Sequence, residues 1–201
     1  MNLFSYIVRY DLAFAPNPFH GFCPLGTCKA PMREQVSKGD WVVGTGSAEN
    51  GLAGRLVFAM QVDRIVTFEE YWDNPEFSRK KPVMNSSYSH AVGDNIYHRN
   101  RAGQWVQKNS HHSHHDGTPN IDNLKDDTSV NRVLVGNRFA YWGRSAIEIP
   151  DDLDIVHKGQ HYRRNHPPGT ERRFLKWFDS LGVNGCLHEP VEFEKWLKKN
   201  I

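Results

Sequence analysis

RLVFAMQVDRIVT, residues 55–67, carries the strongest strand signal in the chain. Its aliphatic and β-branched content suits a pleated, half-buried surface, and its length predicts one long bent strand. Upstream, Lys38-Gly39-Asp40 reads as a turn into a short strand, WVVGT at 41–45, where Gly44 and Gly46 mark close approach by another backbone or a ligand. Further back, LFSYIVRY at 3–10 alternates apolar and polar residues, as a first strand with one buried face does. Downstream, Thr67 is placed to cap a short helix that Pro75 ends. Residues 131–135 and 138–142 read as two strands joined by a tight Gly136-Asn137 turn, and so are expected to pair. Short strands are expected near 95–99 and 104–107 within a polar, irregular region. Near the C-terminus, Thr170 is expected to cap a helix whose apolar face is Phe174, Leu175, Trp177, Phe178 and Leu181, with Gly182 as its stop. A second short helix is expected from Pro190, with Phe193, Trp196 and Leu197 inward. The fold class that follows is α+β: one domain with a curved, mostly antiparallel sheet, long loops and C-terminal helices.

Bulk properties fit one domain. The chain has 201 residues, enough for a real core and too few to need a second one. Net charge is only +2, so charge alone does not announce nucleic-acid binding. No apolar run approaches the roughly 20 residues that span a bilayer, and MNLFSYIVRYD lacks the charged-then-apolar order of a signal peptide. A cytoplasmic protein without membrane partners is expected. Three cysteines, Cys23, Cys28 and Cys186, do not make a disulfide framework, and the spacing of the first two is not that of common zinc sites.

Four prolines and two glycines between residues 11 and 31 forbid a helix interior or a central strand. With Phe14, Phe19 and Phe22 in it, this stretch reads as an ordered loop folded over something. The loop gathers His20, Cys23, Cys28 and Lys29, a set that suits either a metal or a thiolate activated by a neighbouring cation, with His20 as the only local base. Two buried structural thiols are the preferred reading of the cysteines. The tract SHHSHHD, residues 110–116, offers four imidazoles and a carboxylate; no metal and no cofactor is assigned to it, and Ser110, His111, Ser113 and Asp116 are its most site-like members.

GDNIYH, residues 93–98, combines Asn95, Tyr97 and His98, donors and acceptors suited to a base edge or to acid–base chemistry. GQHYRRNH, residues 159–166, sets His161, Arg163 and Arg164 beside a ring, as phosphate binding with stacking requires. Among the many rings, Trp41 and Tyr97 are the two expected to meet a ligand, each near a glycine–aspartate turn. P-loop, dinucleotide-fold and zincin motifs are absent, which argues against those chemistries.

Several segments together, FSYIVRYD, APNPFHGFC, GDWVVGTGS, LVFAMQV with TFEEYW, and GDNIYH, resemble the nucleotide modification associated domain family, second type, over the chain up to about residue 156. The resemblance implies a nucleotide or modified-base ligand, free or within DNA, in a DNA-modification or phage-defence setting. The order of turn, short strand and long strand is similar to the PUA, EVE and ASCH barrels, which implies a barrel-like core over 1–156 with a helical extension over 157–201. Two functions are then in contention. A reader would hold the base at the barrel mouth with Trp41 and Tyr97, whereas an enzyme would draw on Tyr6, Arg9, His20, Asn95, His98, His111 and Asp116. A third reading makes the C-terminal helices the contact face of a larger assembly.

Overall fold

The computed structural model describes residues 1–195. In chain order its first elements are β1 (Leu3–Val8), β2 (Cys23–Leu25), α1 (Ala30–Gln35), β3 (Trp41–Gly46), β4 (Leu56–Gln61), β5 (Arg64–Val66) and α2 (Phe68–Asp73). There follow α3 (Tyr88–Ala91), β6 (Tyr97–Arg99), β7 (Trp105–Gln107), α4 (Ile121–Thr128), β8 (Val133–Gly136), β9 (Phe139–Tyr141), β10 (Tyr162–Arg163), α5 (Thr170–Ser180) and β11 (Gly185–Cys186). They form two compact units, neither of them continuous in sequence. Unit 1 takes Met1–Leu12, Val36–Asp63 and the chain from Gly136, and unit 2 takes Ala13–Gln35 and Arg64–Val135. The expected division at residue 156 does not coincide with this one, because β10, α5 and β11 pack within unit 1.

Unit 1 is built on a six-stranded sheet in the order β10-β1-β3-β4-β9-β11. Three of its pairings are antiparallel, while β1 with β3 and β9 with β11 are parallel. The sheet ends on β10 and β11, two residues each, so it is open; no closed barrel occurs among the described residues. Gly44 faces Phe58 across the β3–β4 pair, where a Cβ would stand 2.2 Å from the ring, which explains the glycine in a buried strand. One face packs against α5: Trp41, Val43, Leu56, Ala59 and Ala140 are buried with Phe174 and Phe178. The α5 helix begins as expected, but Gly169, with φ +79°, occupies the cap position and Thr170 is the first helical residue. Trp196 and Leu197 lie outside the described residues.

The run at 55–67 does not form one long strand. It divides into β4 in the six-stranded sheet and β5 in a separate sheet ordered β2-β8-β5. The expected 131–142 hairpin divides in the same way: β8 pairs with β5, β9 pairs with β4, and the two do not pair with each other. Gly136 lies so close to Gln61 that a Cβ would come within 2.5 Å of its carbonyl oxygen, and the Asn137 amide donates to Asp63 at 2.5 Å. Those contacts tie the bend at Asn137-Arg138 to Gln61 and Asp63 rather than closing a two-residue hairpin. Local strand propensity was read correctly; partner choice was not local.

Unit 2 is made of short elements, and buried cations satisfy backbone oxygens in the loops between them. Lys80, fully buried, donates from Nζ to Asn17 O at 2.9 Å and Phe22 O at 2.7 Å, and also meets Asn17 Oδ1 and Phe19 O. This ammonium orders the proline-rich loop. The short strands β6 and β7 pair in register Tyr97 with Gln107. Thr67 caps α2 as expected, reciprocated by Glu70 in a capping box.

Candidate functional site

The chemistry of unit 2 converges on Cys28. It sits in the turn that leads into α1, with φ +59°, and the next residue, Lys29, has φ +46°. Two successive non-glycine residues in the left-handed region are strained, and such strain collects at functional positions. The backbone oxygen of Cys28 accepts from Arg33 Nε at 2.9 Å. Arg33, fully buried, also donates to Asp127 O at 2.6 Å, Val130 O at 3.0 Å and Arg132 O. One guanidinium thus ties the Cys28 turn to the end of α4.

Three side chains meet there. Cys28 Sγ lies 3.6 Å from His112 Nε2, and His112 Nδ1 lies 2.7 Å from Asp127 Oδ2. Asp127 Oδ1 accepts the Cys28 amide at 2.6 Å, so one carboxylate holds both the backbone of the thiol and the ring beside it. Asp127 Oδ2 also accepts from the buried Tyr97 hydroxyl at 2.8 Å. Gln107 Nε2 reaches Tyr97 Oη at 3.2 Å and the His112 carbonyl at 3.1 Å, while its Oε1 accepts the Asn120 amide at 2.7 Å. Hairpin, histidine loop and α4 are therefore joined through a single glutamine. Phe14 packs on the His112 ring with centroids 4.8 Å apart.

This is the order nucleophile, base, orienting acid. Burial opposes charging His112, but hydrogen bonds to Asp127 and Cys28 outweigh it and push the imidazole up to about 10. Next to an imidazolium a cysteine is nucleophilic as its thiolate. Burial, then Asp127, raises the Tyr97 phenol, so it remains a donor. Burial pulls the Arg33 guanidinium down to about 10, and its nearby anions oppose the shift.

The same three residues offer one sulfur, one nitrogen and one oxygen within 4.8 Å of one another, which is a potential metal-ligand set. The fit is poor as the side chains stand. Ligands about 2.0–2.3 Å from a tetrahedral zinc lie well over 3 Å apart, whereas His112 Nδ1 and Asp127 Oδ2 are 2.7 Å apart, hydrogen-bond spacing. Both oxygens of Asp127 already accept hydrogen bonds.

The expected site residues are scattered by comparison. His20, the anticipated base for Cys28, instead faces Ser89 O at 3.3 Å and lies tilted against the His90 ring with centroids 4.6 Å apart; burial and then Arg79 and Lys80 lower it to about 4. His98 stacks on Trp72 with centroids 3.8 Å apart. His111 is exposed, 6.1 Å from the His112 ring, and Asp116 is exposed and bonded to Thr118. Ser110 and Ser113 shape the histidine loop: Ser110 Oγ accepts the His112 amide at 3.3 Å and Ser113 Oγ donates to Lys108 O at 3.2 Å. Asn95, buried, donates to Tyr71 O at 2.6 Å.

Tyr97 is part of the cluster, but its ring is wholly buried and its hydroxyl is directed to Asp127. In unit 1, Trp41 is buried against Phe174 and Phe178, and Tyr6 is buried on β1. Arg9 is exposed and paired with Glu49, His161 is exposed, and Arg163 pairs with Asp154. Phe174 is buried and Trp177 half-buried, which counts against α5 as an open contact face. Of the three central residues, Cys28 was legible as a thiol needing a base, and His112 lay within the histidine tract. Asp127 carried no local signal.

An α+β chain with a cysteine–histidine–aspartate relay is the class that fold and site define. The chain belongs to the nucleotide modification associated domain 2 family, whose model matches residues 1–197, further than the resemblance up to about 156. Neither the curated proteins nor the solved structures include a match to it. No helix among the described residues is long and apolar enough to cross a membrane.

Proposed function

We propose that the protein is a thiol-dependent enzyme of nucleotide modification, rather than a reader that binds without turnover, and that it cleaves or transfers an acyl group carried by a nucleotide or base. The observation that carries this reading is the His112 ring, bridging Cys28 Sγ at 3.6 Å and Asp127 Oδ2 at 2.7 Å. In the forward step the Cys28 thiolate attacks the carbonyl carbon of an amide or ester. His112 gives its Nε2 proton to the departing amine or alcohol, and a thioester forms on Cys28. His112 then takes a proton from water, or from an acceptor amine or alcohol. That oxygen or nitrogen attacks the thioester, and the acyl group leaves as acid, ester or amide while the thiolate returns. Asp127 stays ionised throughout and holds the ring on line.

The test is incubation with pooled nucleotides and modified oligonucleotides, followed by intact-protein mass spectrometry under acid quench. A mass adduct on Cys28 that is absent in Cys28→Ala supports the enzyme. Retention of unaltered ligand by wild type and Cys28→Ala alike would make it a reader. Activity that requires added zinc and is abolished by a chelator would favour the metal arrangement of the same residues.

A further inference from the structure

Between Asp154 and Glu171 the chain has no acidic residue, yet it carries Lys158, Arg163 and Arg164 together with three histidines. This imbalance is local, since the whole protein is nearly neutral. It also surrounds an open surface depression of unit 1, about 460 Å³ in volume and lined by His157, Tyr162, Arg163, Arg164 and Asn165. That is the scale of a small-ligand site.

Its chemistry is one-sided. Arg163 donates to both carboxylate oxygens of Asp154, at 3.1 and 2.8 Å, and to the Asp154 carbonyl at 2.9 Å. The nearest acid in sequence is therefore neutralised, and Arg163 serves as a fixed wall. What remains in the lining has no carboxylate and presents guanidinium, amide, imidazole and phenol groups. Such a set suits a phosphate, with the fork of an arginine as the best-matched donor. Tyr162 adds a ring: it lies on β10, the edge strand beside β1, half-buried and tilted against Phe4 at 6.0 Å. A base or sugar can pack on such a ring while the phosphate meets the donors.

We infer that this depression binds the phosphate of a nucleotide, with Arg164 and Asn165 as donors and Tyr162 as the platform for the attached base. The site lies wholly in unit 1, whereas Cys28, His112 and Asp127 lie in unit 2, so it does not rest on the thiol proposal. The phosphate can belong to a free nucleotide or to a strand.

A short labelled single-stranded oligonucleotide, followed by fluorescence anisotropy, tests this, with nucleoside monophosphate, nucleoside and inorganic phosphate as competitors. Wild type should bind saturably, and Arg164→Glu should weaken binding about tenfold or more, as loss of a charge-assisted bond does. Arg164→Gln, which removes the charge and the guanidinium fork without adding a repelling carboxylate, supplies the same comparison should the reversal fail to fold. Displacement by the monophosphate identifies a free-nucleotide site, while resistance to it together with a steep salt dependence identifies a strand. Equal affinity in wild type and both Arg164 variants, or inorganic phosphate competing as well as the monophosphate, would overturn the inference.

Discussion

The two units bury their backbones by different means. Unit 1 pairs its strands in one sheet and seals a face with Phe174 and Phe178, so its polar backbone is satisfied by ladders and its core is apolar. Unit 2 is divided among short helices and two- and three-stranded sheets and satisfies buried carbonyls between them with side-chain cations: Arg33 donates to four of them, and Lys80 holds the proline-rich loop. The contrast teaches where positional precision comes from. An apolar core fixes side chains by close packing without regard to bond direction, whereas the fork of Arg33 adds directed hydrogen bonds that hold the Cys28 turn to the end of α4.

The largest expected effect falls on the relay itself. Cys28→Ala should lower turnover on the acyl substrate by at least about 10³-fold with no more than a small change in stability, and Asp127→Asn by about 10²–10⁴-fold. Rates from quenched-flow assays together with urea midpoints check both. Equal loss of stability and activity would mean that the cluster is structural.

Next comes a pair that sets the two kinds of burial against each other. Phe174→Ala should destabilise by about 3–5 kcal/mol through the cavity it leaves. Arg33→Leu should cost a similar amount by leaving carbonyls unpaired. Only the second should also slow iodoacetamide labelling of Cys28, and Arg33→Lys should restore part of the stability while leaving the labelling slow. If Phe174→Ala slows labelling as much, the contrast between the units fails.

The pH dependence sharpens the comparison within unit 2. His112 rises on folding from an unfolded value of 6.5 to about 10, so its contribution to stability is full below about pH 6.5 and is lost as pH climbs toward 10. Asp94 moves the opposite way for a carboxylic acid. Burial lifts it from 3.8 to about 7 against the pull of Lys80, so folding grows less favourable as pH rises from about 4 to 7 and then levels off. Denaturant midpoints across pH should show both slopes; Asp94→Asn should remove the lower one and His112→Gln the upper.

The smallest effect is expected at Arg9 and Glu49, a pair in unit 1 whose side chains are 65% and 48% exposed. Arg9→Ala should leave the midpoint of a thermal melt essentially unchanged. A clear drop would show that unit 1 also depends on charged contacts.

Elements declared by their own residues could be read directly. The Thr67 cap of α2 and the apolar face of α5 depend on spacings of two to four residues, which a single sequence displays, whereas β1 forms where expected but, flanked by β3 and β10 within the sheet, is buried on both faces rather than one. The membership in a nucleotide-modification family was legible in short worded segments for the same reason. Partner choice was not, as shown by 55–67 dividing between two sheets and by β8 and β9 declining to pair. The candidate site lay furthest from view. Cys28, His112 and Asp127 stand 84 and 99 residues apart along the chain when counted from the thiol, and Asp127 looks like any surface acid of a polar helix until the fold buries it. Hydrogen bonds at 2.6 to 3.6 Å require coincidence in space, and only the closure of three long loops around Arg33 and Gln107 supplies it.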